Sequence, residues 1–277
     1  MKPRTRRRVS SLTLSVVLIS LAVAVAIPLY YIVVSTFKTQ SEMAKSPLGL
    51  PSSLSFDNYV AVVEKTPVFQ SFLNTAIVTV FGVGFMVMIG ALAAYGMIQK
   101  RSRFTSVVGM LLMVAFVIPS QATLIPLYQM EASLGLVNSL LGLIVMYLGG
   151  AVFCYFLIVG YMRKLPTEIF EAARLDGASP LRIFWAIVLP LIRPILVTVI
   201  VFQTMWVWND FLYPNVFISS SSKRTIVLQV YNAVGQFTTN WPQFMTLTVI
   251  ALIPVVIFFI LCQRWIVSGL AAGSVKG

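Results

Sequence analysis

The polar groups within and beside this chain's apolar stretches are nearly all neutral. Asn74, Gln121, Tyr128, Gln203, Thr204, Trp206, Trp208 and Asn209 supply amides, hydroxyls and ring faces, while carboxylates and cations are nearly absent from the same stretches. An ionised group at membrane depth costs about 2.5–3.5 kcal/mol or more, so a proton or sodium relay has little to work with. There is no His, and the two cysteines, Cys154 and Cys262, each sit inside an apolar run. Imidazole metal ligation, His-activated nucleophiles and a disulfide framework therefore lack their residues, and no metal or organic cofactor is expected. No G-x-x-x-x-G-K-[ST] loop occurs to cradle ATP phosphates. Hydrogen bonding and stacking remain. The same residue types also serve as interface belts, in the case of Trp and Tyr, and as links between helices, in the case of Asn and Gln.

The elements that must carry these groups follow from hydropathy. Of 277 residues, 58% are hydrophobic and 10% charged, with a mean hydropathy of +0.92, far from a soluble domain's composition. Six apolar stretches, at 12–34, 72–98, 104–124, 139–161, 191–209 and 245–262, each approach the length a helix needs to cross about 30 Å of hydrocarbon. The expected fold is all-α: a polytopic membrane protein with six transmembrane helices in one domain over 12–268. A basic tail at 1–11 precedes it and a short tail at 269–277 follows. The first stretch runs on to Val34 and reads as an anchor rather than a cleaved signal.

Placing the amino terminus in the cytoplasm puts fifteen Lys and Arg inside and five outside, as the positive-inside rule requires. Both termini are then cytoplasmic. The net charge of +12 falls on the inner face, where it suits anionic lipid headgroups, so no nucleic-acid partner is needed to explain it. Outside lie two sizeable loops, 38–71 with an amphipathic segment from Asp57, and 210–244.

One inner loop, 163–190 between spans 4 and 5, carries the densest local signals. From Leu165 the chain reads LPTEIFEAARLDGASPLRIFWAIVLPLIRP. Glu168 and Glu171 lie near the positive amino end of a short helix, and Gly177 suits the left-handed position that closes it after Leu175 and Asp176. Ser179-Pro180 then opens a second helix. Ala172 and Ala173 allow close approach of another surface, and Ile169, Phe170 and Leu175 are candidate apolar anchors.

Glu171-Ala172-Ala173, three residues, Gly177, nine residues, Ile187, one residue and Leu189-Pro190 together match the EAA signature of binding-protein-dependent ABC importer permeases. The chain resembles the carbohydrate branch of that family, in particular the smaller permease subunit of maltose-type sugar importers. Supporting pieces are Ala93-Ala94-Tyr95-Gly96, Ile125-Pro126-Leu127-Tyr128, Trp208 to Pro214 and the ending Gly269 to Gly277.

The resemblance implies a transport subunit without its own ATP site. It implies a second permease subunit of a different chain, two ATPase subunits carrying ATP and Mg, an extracytoplasmic sugar-binding protein, and a bacterial or archaeal cytoplasmic membrane. It assigns ATPase coupling to Glu168, Glu171, Ala172, Ala173, Leu175, Asp176 and Gly177, and an ATPase contact to the tail at Gly273, Lys276 and Gly277. Sugars pair hydroxyls with apolar ring faces, which suits a pathway drawn from Asn74, Gln121, Tyr128, Gln203, Trp206 and Asn209. Asp210, at the water boundary, fits capping better than sugar binding. The alternatives are a permease of another ABC branch, carrying glycerol phosphate, polyamine or peptide, and an ion-coupled secondary transporter. The second would need repeats, broken spans and intramembrane charges.

Overall fold

The structure, a computed structural model, describes residues 3–99, 102–234 and 239–274, with side chains for 13–99, 102–234 and 239–265. Lys276 and Gly277 lie outside the described residues, as does the side-chain environment of Gly273. Every regular element among the described residues is helical. In chain order these are α1 (Pro3–Ser35), α2 (Gln40–Lys45), α3 (Asp57–Lys65), α4 (Val68–Gln99), α5 (Arg103–Val117), α6 (Leu124–Ser133), α7 (Leu140–Tyr147) and α8 (Ala151–Met162). They continue with α9 (Glu168–Leu175), α10 (Pro180–Ile183), α11 (Leu189–Leu191), α12 (Arg193–Trp208), α13 (Leu212–Phe217), α14 (Ile226–Asn232) and α15 (Trp241–Ser274).

Among the described residues, four helical segments are long and apolar enough to cross a membrane unbroken: Thr13–Ser35, Val68–Gln99, Leu140–Met162 and Trp241–Trp265. Of the other two expected spans, 104–124 is broken within its length and 191–209 is bent at its start. Arg103–Val117 and Ser120–Ser133 meet at 96°, and Pro180–Leu191 and Arg193–Trp208 meet at 78°. Proline accounts for both bends. Pro119 pushes Ile118 into extended backbone, with ψ 121°, and so ends α5. Pro190 has no N–H, and the turn before it widens: Phe184–Val188 is a π-helix closed by Leu189 N–H on the Phe184 carbonyl. Pro194 then sits in the first turn of α12. The expectation of a continuous span is corrected for 104–124, whereas 191–209 is the single helix α12.

The chain divides into two compact units, Met1–Val68 with Val230–Ile253, and Phe69–Gln229 with Pro254–Gly277. In the first, the segment after α1 is knotted by polar contacts. Lys38, only 2% exposed, donates Nζ to the carbonyls of Ser46 (2.8 Å) and Pro47 (2.9 Å). Asn58 Nδ2 donates to the carbonyls of Thr36 and Lys38. Phe37, Phe56 and Tyr59 cluster with ring centroids 5.5–5.8 Å apart. Glu42 receives hydrogen bonds from Ser52 and Thr39, and these hold its carboxyl down at about 2.

In the second unit α4 packs on α7 and α8 through small residues. A Cβ on Gly82 would lie 3.5 Å from Tyr147 Cβ, the one on Gly90 would lie 2.5 Å from Cys154 Cβ, and one on Gly150 would lie 2.5 Å from Met86 Sδ. The matched positions rise together, 82 with 147, 86 with 150 and 90 with 154. The two helices therefore run parallel. Missing Cβ atoms bring the backbones close, the usual means of joining helices in a membrane.

Candidate functional site

Two places in the second unit gather the residues singled out by the sequence. The first is the segment α9, Gly177, α10. Helix α9 closes with Asp176 N–H on the Ala172 carbonyl (3.0 Å) and Ala178 N–H on the Ala173 carbonyl (3.0 Å). Gly177 between them has φ +76°, a left-handed backbone that side chains with a Cβ rarely adopt. Ser179 Oγ then caps α10 by accepting from Arg182 N–H (3.3 Å), with Pro180 in its first turn.

This segment is moored to the end of α4. Tyr95 donates its hydroxyl to the Pro180 carbonyl (3.1 Å) and lies 5.5 Å from the Phe184 ring, and Arg174 pairs with Gln99. Phe170 and Ala173 are buried. Phe170 is therefore an internal anchor, and the expectation that it faces a partner is corrected: its position on α9 turns it into the core shared with α4. What the segment presents outward is Glu168, Glu171, Ala172, Asp176 and Gly177, together with Ile169 and Leu175. Leu175 is 90% exposed.

The second place is the end of α12. The helix stops at Trp208, Asn209 caps it with Nδ2 on the Met205 carbonyl (2.7 Å), and the chain re-enters a helix at Leu212. Asp210 fills the gap. Its Oδ1 accepts from Leu212 N–H (2.9 Å), and its Oδ2 accepts from Tyr213 N–H (3.3 Å) and from the Tyr147 hydroxyl (2.6 Å). Around that clasp stands a run of rings: Trp206 on Tyr147 (5.5 Å, 82°), Tyr147 on Tyr213 (5.6 Å, 74°), Tyr213 on Phe217 (6.3 Å) and Phe217 on Tyr128 (5.7 Å).

The candidate pathway residues separate accordingly. Trp206 (42% exposed) and Tyr128 (41%) end the ring series, and Asn209 and Gln121 are exposed. Asn74 and Gln203 are buried, with their amides already engaged. Asn74 Nδ2 donates to the Ser222 and Arg224 carbonyls (2.9 and 3.0 Å), pinning that loop, and Gln203 Nε2 donates to the Gly150 carbonyl (3.1 Å) and Cys154 Sγ (3.4 Å), joining α12 to α8. They act as links between segments, the alternative role of buried amides. Tyr147 and Tyr213 were missed. Tyr213 stands in the same Trp208 to Pro214 run as Asp210, but Tyr147, 63 residues before Asp210, gives no local signal of the contact.

A cavity of about 740 Å³ opens on the other side of α12, between α4, α12 and the Pro254–Phe258 stretch of α15. Val80, Val83, Val87, Leu196, Ile200 and Phe258 dominate its walls, and Thr79, Thr204 and Trp208 are its few polar side chains.

Several long apolar helices among the described residues define a polytopic membrane protein. The chain belongs to the family described as the binding-protein-dependent transport system inner membrane component, whose profile matches residues 86–271. It is 38% identical over 252 residues to the "Probable starch degradation products transport system permease protein AmyC" of Thermoanaerobacterium thermosulfurigenes, covering 90% of this chain and 91% of that one. It is 30% identical over 255 residues, 91% of each chain, to the "Melibiose/raffinose/stachyose import permease protein MelC" of Bacillus subtilis (strain 168). Among solved structures it shares the fold of a chain of a bacterial ABC transporter involved in the import of the acidic polysaccharide alginate. The TM-score there is 0.83 at 23% identity, over 93% of this chain and 96% of that one.

Proposed function

We propose that this chain is a permease subunit of an ATP-driven sugar importer, forming half of a translocation pore across the cytoplasmic membrane with both termini inside. The observation that carries the reading is the segment at Glu168–Gly177: it bears the EAA pattern, closes on a left-handed glycine, is anchored inward by Phe170 and Ala173, and turns Glu171, Ala172 and Leu175 outward. Sugar as cargo is supported by relatives named for starch degradation products and for melibiose, raffinose and stachyose.

In this reading two ATPase subunits, which carry the ATP and Mg, grip α9. Their closure pushes a stiff lever moored to α4 by Tyr95 and Arg174, and the spans rock between inward-open and outward-open states. A second permease completes the pore, an extracytoplasmic binding protein delivers the sugar, and the tail at 269–277 reaches the ATPases.

The test is reconstitution of the co-purified assembly in liposomes. Uptake of radiolabelled maltotriose or raffinose should require ATP and the binding protein, and Glu171→Lys should abolish co-purification of the ATPases while the chain still inserts. Uptake of glycerol phosphate, polyamine or peptide in place of sugar would overturn the cargo, and undiminished ATPase docking by Glu171→Lys would overturn the lever. A reporter fused after Gly277 should be active only in the cytoplasm.

A further inference from the structure

We propose that Trp206, with Asn209 beside it, forms a stacking subsite for a neutral pyranose ring, held in place by the Tyr147–Asp210 clasp. The inference rests on the sugar-importer reading and names where in this subunit the sugar is met.

The two sides of α12 offer opposite chemistry. Leu196, Ile200, Thr204 and Trp208 line the cavity, whose few hydroxyl and indole groups leave most of a sugar's hydroxyls without partners. Trp206 stands about 200° away from Trp208 around the helix, and Asn209 within about 60° of Trp206. Both are exposed. Asn209 spends one amide hydrogen on the Met205 carbonyl, and its Oδ1 has no partner among the described residues. An acceptor beside a bare indole face is out of place against lipid. It matches a sugar ring, whose axial hydrogens stack on the indole while its equatorial hydroxyls donate.

Rigidity sets this face apart from a belt tryptophan. Tyr147 and Tyr213, which both stand against Trp206, are buried at 1% and 8% exposure, so the rings behind it are fixed. Asp210 holds Tyr147 and the first turn of α13 at once. Tyr147 and Asp210 are positioning residues in this scheme. The charged group bonded into the cluster is the anion Asp210, which selects against uronic acids and for neutral sugars.

The experiment compares Trp206→Phe with Trp206→Leu in the reconstituted importer, using radiolabelled maltotriose and raffinose and expressing rates per assembled complex. Stacking requires a ring, so Phe should keep most of the transport rate and Leu should lose about tenfold. The half-saturating sugar concentration should not move, because the binding protein sets it. Equal rates for Phe and Leu, high or low, overturn the subsite and leave the importer standing. A wild-type complex that imports neither sugar overturns the proposed function and the subsite together. Tyr147→Phe should lower the rate less than Trp206→Leu, and a larger loss would place sugar recognition elsewhere.

Discussion

Gly177 offers the sharpest test of the coupling lever, because its backbone and its surroundings make separate demands. Its φ of +76° costs an L-residue roughly 1–2 kcal/mol, more for a β-branched side chain and less for Asn, which tolerates the left-handed region. The surroundings demand nothing, since no atom lies within 4 Å of a Cβ built there. Substitutions should therefore rank by backbone preference rather than by size. With about 1.4 kcal/mol per tenfold, Gly177→Ala should reduce the population of the correct turn by about five- to thirtyfold and Gly177→Val further, while Gly177→Asn should remain closest to wild type although Asn is larger than Ala. The assay is ATP-dependent uptake by the reconstituted assembly, with membrane yield measured in parallel. Yield should be the same for all four chains, because the turn lies outside the spans. If Ala outperforms Asn, a partner surface touching Gly177 controls the site and the backbone argument is wrong. Normal transport by Gly177→Val would remove the turn from the mechanism.

Three other outcomes follow from the packing and the outer contacts. Gly90→Val should cut the yield of monodisperse protein, because a Cβ there meets Cys154 Cβ at 2.5 Å and backbone at 3.0 Å and overpacking costs about 1–3 kcal/mol. Gly96→Ala, facing open space, should not, and equal behaviour of the two would refute the α4–α8 packing. Tyr147→Phe removes a hydrogen bond to a carboxylate, about 1.5–3 kcal/mol, and should lower the thermal midpoint of the solubilised chain by a few degrees; an unchanged midpoint would mean the clasp contributes no stability. Glu42 sits at about 2, below its usual 4.5, so its contribution is complete above pH 4.5 and fades as pH falls toward 2. Amide exchange at Thr39 and Ser52, whose N–H groups donate to Glu42, should be slow at pH 5 and quicken, beyond the intrinsic pH trend, below about pH 3.

What the sequence made legible was local. The α9–Gly177–α10 segment is specified within a few residues by acids at a helix start, a left-handed glycine and Ser-Pro, and the long spans by continuous hydropathy. The breaks were legible in principle, through Pro119, Pro190 and Pro194, but hydropathy averages across a bend and does not register it. The direction of Phe170 was not legible, because a short amphipathic helix does not say which apolar residue faces its own core. Nor was the ring series, whose members come from α6, α7, α12 and α13 and meet only after folding. Lys38 is the same kind of case: a cation in a loop reads as solvated until two carbonyls enclose it.

Helix α12 joins the two sites within one unit. It begins at Arg193, directly after the π-turn and α11 that follow α10, and ends at the Asn209–Asp210 break beside the ring series. Sixteen residues make a rod about 24 Å long, so a push on the α9–α10 segment can reach the clasp only if that rod is stiff. Val197→Gly with Ile200→Gly softens its middle by about 2 kcal/mol. Val197→Ala with Ile200→Ala removes nearly the same side-chain atoms and leaves the rod stiff. Both pairs should assemble and hydrolyse ATP at the basal rate, but only the Gly pair should lose stimulation by the sugar-loaded binding protein. Equal stimulation in the two pairs would show that the signal travels by another route, through α4 and its contacts with Pro180 and Arg174.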